Sequence, residues 1–95
     1  MVEVIFNNKG IDTIIQCNIN DKMIDIINKY LIKIGKNDNI NDLIFIYGAN
    51  IINYELTFIQ QANDLDKKRN KMNILKSKYV SPYSRKAIFN NHQKH

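Results

Sequence analysis

The sequence predicts an α+β fold, a small sheet of four to five strands packed on one helix. Two alternating apolar runs at the N-terminus flank Asn7-Asn8-Lys9-Gly10. One apolar stripe, from Met23 to Ile34, stops at Gly35. Eight residues beyond that glycine comes Leu43-Ile44-Phe45, which runs into Ile46-Tyr47-Gly48. In an order of strand, hairpin, strand, helix and strand, the helix must lie across one face of the sheet, because neither element buries its apolar side alone.

Val2, Val4 and Phe6 alternate with Glu3 and the more tolerant Ile5, the period of a half-buried strand. Asn7-Asn8-Lys9-Gly10 supplies a turn in which Asn and Gly accept positive φ. The second strand puts Ile11, Thr13, Ile15, Cys17 and Ile19 on one face and Asp12, Ile14, Gln16 and Asn18 on the other. Asn20 or Asp21 is positioned to cap a helix. Met23, Ile26, Ile27, Tyr30, Leu31 and Ile34 then form a single helical stripe. Gly35 is its left-handed terminator, and Lys29, Lys33 and Lys36 suit the negative end of the helix dipole. Ile24 and Ile32 fall off the stripe. Residues 42–47 make a third strand and residues 51–52 a short fourth. Residues 53–66 read as a loop over the end of the core with a short helical turn near 57–61, and residues 72–75 as the last strand. Ser81-Pro82-Tyr83-Ser84 interrupts any period, so the domain is expected over residues 1–78 and a flexible, disordered basic tail over 79–95.

Ninety-five residues with 18 isoleucines make one domain, and the weight of Ile, Asn and Lys reads as coding bias, which discounts Asn as a functional signal. A single cysteine, Cys17, excludes an internal disulfide and a cysteine-rich metal site. No apolar run approaches ~18 residues, which excludes a membrane-spanning helix. The N-terminus lacks the pattern of a secretory signal, so a reducing intracellular setting, cytoplasmic or nuclear, is expected. The net charge of +5 is uneven. Every acid lies in residues 1–66, whereas residues 67–95 carry seven lysines and two arginines.

Over residues 1–77 the chain resembles ubiquitin and the ubiquitin-like β-grasp domains. Gly10 stands where ubiquitin has its turn glycine, and the helix matches without a gap in its apolar positions and terminal Gly35. Leu43-Ile44-Phe45 repeats ubiquitin's own tripeptide at the same distance, and Leu56-Thr57-Phe58 and residues 72–75 continue the likeness. The resemblance implies a mixed β-grasp sheet with its first and last strands parallel at the centre. Two departures stand out. Asn37-Asp38 replace a double proline, and Leu75-Lys76-Ser77-Lys78 occupies the place where conjugating members carry two glycines. A conjugable modifier needs that side-chain-free tail, so the expectation is a non-conjugating domain.

The resemblance also implies a docking surface on the sheet. Carried over by position, its apolar members are Ile44 and Leu75, with Asn73 between them in place of a histidine and a polar Asn8 or Lys9 in the turn. Alternation adds Ile46 independently: if Leu43 and Phe45 face the helix, Ile44 and Ile46 face away. Lys68 and Lys71 would supply a polar rim. The expected function is a non-enzymatic protein-interaction module, an adaptor or part of a larger protein, monomeric and docking a partner of the kind that binds ubiquitin. Against it stands the plain account that scattered surface isoleucines need no explanation.

The alternative partner is a polyanion, nucleic acid or an anionic surface, met by Lys67, Lys68, Arg69, Lys71, Lys76, Lys78, Arg85 and Lys86 with Tyr79, Tyr83 and Phe89 interleaved. No RRM, KH or helix-turn-helix motif accompanies that charge, which favours a solvated loop and tail over a polyanion site. Catalytic chemistry finds little support. Cys17 lies on the inward face, and the pairs Asp64/Asp66 and Asp21/Asp25 read as solvated charge. His92 and His95 lack further ligands, and there is no Gly-rich phosphate loop. No catalytic residue, metal or cofactor is expected.

Overall fold

The computed structural model describes residues 1–35 and 39–78. The expected tail over 79–95 and the Asn37-Asp38 connection lie outside these residues. The fold is α+β and β-grasp-like. Strands β1 (Val2–Asn8), β2 (Ile11–Cys17), β3 (Leu43–Tyr47), β4 (Asn50–Ile51) and β5 (Lys71–Lys78) form one mixed sheet in the order β2-β1-β5-β3-β4. The first and last strands are parallel neighbours at its centre, and the other pairings are antiparallel.

Helix α1 (Met23–Ile34) lies on one face and buries Met23, Ile26, Ile27, Tyr30 and Leu31, while Ile32 stays exposed as its off-stripe position predicts. Beneath it Phe6 stacks on Tyr30 with ring centroids 4.3 Å apart. Phe45 meets both edge-on, at 5.8 and 6.3 Å. This aromatic triad joins β1, β3 and α1, which are distant in sequence, and so holds the sheet and helix together. Gly35 ends the helix at φ 70°, and its N–H donates to the carbonyls of the last turn.

Several local expectations are corrected. Neither Asn20 nor Asp21 caps α1. The N-cap is Lys22 without a side-chain bond, and the Asp21 carboxylate accepts instead from the Asn18 N–H at 2.9 Å. The first helical N–H groups, of Met23 and Ile24, donate to the carbonyls of Leu56 and Tyr54. The 53–63 stretch thus does the capping with its own backbone, a tertiary solution to the open helix end. Positive φ in the β1–β2 turn falls on Lys9 and Gly10, not on an asparagine. Ile11 and Ile19 lie beyond the cover of α1 and are exposed.

The largest difference lies between β4 and β5. The segment read as a loop holds its expected helical turn as α2 (Phe58–Gln61), but also a second helix that was not expected, α3 (Asp64–Arg69). Thr57 and Gln60 form a reciprocal capping box on α2, and Asn63 caps α3. Asn70 closes α3 in the left-handed conformation, which asparagine tolerates. Strand β5 is also twice as long as residues 72–75 suggest, starting at Lys71 and ending at Lys78.

Candidate functional site

The face of the sheet turned away from α1 is built by alternation. β1 buries Val2, Val4 and Phe6 and turns out Glu3, Ile5 and Asn7, while β5 buries Met72, Ile74 and Lys76 and turns out Lys71, Asn73, Leu75 and Ser77. In β3, Leu43 and Phe45 are buried and Ile44 and Ile46 are half-buried. The strand register then decides which outward side chains meet. Leu75 stands opposite Ile46, and Ile46 opposite Ile51 on its other side. Ile44 lies opposite Ser77, one step along β3. Asn73 stands opposite Ile5, and Ile5 opposite Ile14.

The result is a diagonal apolar band across all five strands, with Ile14 and Ile5 at one end and Leu75, Ile46, Ile44 and Ile51 at the other. Asn73 is its polar interruption. Leu75 is 46% exposed and Ile51 66%. Ile44, Ile46, Leu75 and Asn73 thus come together as the sequence suggests. Ile5, Ile14 and Ile51 were missed. Alternation alone puts Ile5 and Ile14 on the outer face, but only the pairing register shows that they continue the band. Lys71 lies opposite Glu3 at the margin, and Lys68 is on α3 outside the sheet.

Helix α3 is held in place by a closed set of hydrogen bonds. The Tyr47 hydroxyl donates to Asp66 Oδ2 at 2.5 Å and accepts from the Asn63 N–H at 3.0 Å, while the Asp66 N–H donates to Asn63 Oδ1 at 2.8 Å. Burial raises the Tyr47 phenol above its ordinary value, with the Asn63 N–H acting in the opposite sense and the Asp66 carboxyl adding to the rise. Asp66 is buried, which corrects its reading as solvated charge. The network lets α3 present Lys67, Lys68 and Arg69, all exposed in its last turn, with Lys67 3.9 Å from Asp64. Lys71 and Lys78 are exposed, but Lys76 is not. It occupies an inward position with Nζ 5.7 Å from the Tyr30 ring centroid, a cation–π contact, and so leaves the basic surface. Arg85, Lys86, Tyr79, Tyr83 and Phe89 lie outside the described residues.

Cys17 is 2% exposed. Burial, with the nearby Asp21 carboxylate adding to it, pushes the thiol up to about 11 from its ordinary 9.0. It is expected to resist iodoacetamide at pH 8 in the folded chain and to react only on unfolding, as mass spectrometry with and without denaturant will report. Because the unfolded thiol ionises first, its contribution to stability is level below pH 9 and falls as pH climbs from 9 towards 11. Labelling at the rate of a free thiol would contradict the packing around β2. Among the described residues no cluster of His, Cys, Asp and Glu is arranged to hold a metal ion, and no helix is long and apolar enough to cross a membrane.

No family model matches the chain, and no curated protein matches it. Among solved structures, a chain in the crystal structure of ATBAG1 in complex with HSP70 is similar in fold. Its TM-score is 0.60 at 12% identity, over 99% of this chain and 48% of that one. The present chain therefore spans about half the length of that neighbour, and at such low identity the likeness is one of fold.

Proposed function

We propose that this domain is a non-enzymatic, ubiquitin-like interaction module that docks a protein partner on the open face of its sheet and is not conjugated through its C-terminus. The observation that carries the reading is the register opposing Leu75, Ile46 and Ile51, with Ile44 alongside. Contiguous apolar surface of this kind often marks a partner site, whereas isolated surface isoleucines do not. The β-grasp-like fold and the sequence likeness to ubiquitin support the family reading. The structural neighbour was solved with a protein bound, HSP70, which accords with an interaction role without naming this chain's partner. A band with a polar centre supports modest affinity, about −7 to −8 kcal/mol, in the micromolar class.

The test compares baits in a native lysate. A protein captured by the wild-type domain is expected to be lost by Ile44→Ala with Leu75→Ala. It should be kept by Ile32→Ala, which trims an exposed isoleucine on the helix. Circular dichroism should show both variants folded. Undiminished capture by the double variant would remove the sheet face from consideration.

A second reading rests on α3, which gathers Lys67, Lys68 and Arg69 in one exposed turn ahead of Lys71. Polyanion binding there would weaken steeply with salt through counterion release. Docking on the sheet would change little between low and moderate salt.

A further inference from the structure

We propose that the exposed face of α3, with Lys71 and Met1 beside it, is a contact for an anionic bilayer surface. The inference rests on the second reading above, that α3 meets a polyanion, and it names the polyanion. Leu65 is the one apolar side chain of α3, and it is 61% exposed. Residues three and four apart are neighbours on a helix, so Lys68 and Arg69 flank it. Arg69 and Lys71 line a cleft of about 300 Å³ with Glu3, Gln16 and Met1, which is 84% exposed. The arrangement is held at both ends. Asn63 caps α3 and is bonded to Tyr47, and the Asn70 carbonyl at the other end accepts from the Glu3 N–H at 3.0 Å. Little backbone ordering is left for binding to impose.

Charge alone does not select the occupant. Lys67 lies 3.9 Å from Asp64, Glu3 stands opposite Lys71, and buried Asp66 is engaged by Tyr47. The cations left over are Lys68 and Arg69, and neither makes an ion pair among the described residues. What selects is the apolar pair set among these charges. Nucleic acid makes no use of Leu65 or Met1, and α3 offers it no ring on which a base could stack. A folded acidic protein would need a socket cut to two side chains from separate elements. An anionic bilayer needs no such match. Its headgroups meet Lys68, Arg69 and Lys71, while Leu65 and Met1 dip below them to the acyl boundary.

The chain contains no tryptophan, so Leu65→Trp reports on its own surroundings. The full chain carrying it is titrated at low salt with vesicles of phosphatidylcholine containing about 30% phosphatidylserine. Its emission is expected to shift to the blue, with half-saturation below roughly 10 mM lipid, about a hundredfold weaker than one acyl chain gives. Ile32→Trp, at an exposed site on α1, should show no shift. Adding Lys68→Gln with Arg69→Gln should weaken binding about thirtyfold, at about fivefold per cation. In vesicle sedimentation without the tryptophan, Leu65→Ser should bind about tenfold more weakly than wild type. These positions are exposed, so circular dichroism should show every variant folded. The proposal is overturned by no blue shift over that lipid range, by an equal shift with neutral vesicles, or by Leu65→Ser binding like wild type. An oligonucleotide or polyglutamate that binds through Lys68 and Arg69 where vesicles do not would also overturn it, while leaving the broader polyanion reading in place. If none of the three binds, both readings fall.

Discussion

Phe6→Ala is expected to cost about 3–5 kcal/mol, the range for deleting a buried phenylalanine. Phe6 is fully buried and is the ring through which β1 touches both Tyr30 and Phe45. Truncation leaves a cavity between helix and sheet, and two aromatic partners lose their contact at once. A chain of this size has about 5–14 kcal/mol of total stability, so the loss is a large part of it. Thermal denaturation followed by circular dichroism should show the midpoint falling by about 15–30 °C. A fall below about 5 °C would mean that the triad is not packed as described.

Tyr47→Phe should cost about 2–3 kcal/mol although it removes a single oxygen. That atom is the donor to buried Asp66 and the acceptor for the Asn63 N–H, so its loss strands polar groups on both sides. Asp66→Ala should cost less, because it removes the buried carboxyl together with its bond. The double variant should then be less destabilised than the two single losses combined, as coupled partners require. Urea denaturation of the three variants measures this. Additive losses would show that Tyr47 and Asp66 contribute independently. The same variants bear on function, since release of α3 would disperse Lys67, Lys68 and Arg69.

Elements governed by strong local periodicity were readable from the sequence. The stripe from Met23 to Ile34 has the helical period and a glycine stop, and the strands at residues 2–8 and 11–17 alternate cleanly. The central parallel pair was expected only from the resemblance to ubiquitin-like domains, because pairing between distant segments leaves no local mark. Helix α3 was missed for a physical reason. Its single apolar residue, Leu65, is 61% exposed, so no buried stripe marks it. It is fixed instead by Tyr47, sixteen residues before its capping Asn63. The cap of α1 was misassigned for a similar reason, since carbonyls of Tyr54 and Leu56 perform the task given to Asp21. Lys76 looked like solvent-facing charge in a basic run, but strand parity turns it inward over Tyr30.

The candidate site divides in the same way. Parity along β3 was enough to turn Ile44 and Ile46 outward. The extent of the band depends on strand order and register, which place Ile51 beside Ile46 and Ile14 beside Ile5. That continuity distinguishes a docking surface from isoleucines scattered by composition.

The most direct measurement is methyl NMR of the isoleucine- and leucine-labelled domain, with and without a protein it captures. The account predicts that methyl signals of Ile44, Ile46, Ile51 and Leu75 shift or broaden together, while those of buried Ile26 and Ile27 and exposed Ile32 stay in place. Perturbation confined to Leu65 on α3 or Ile32 on α1, with the sheet-face methyls unmoved, would contradict it.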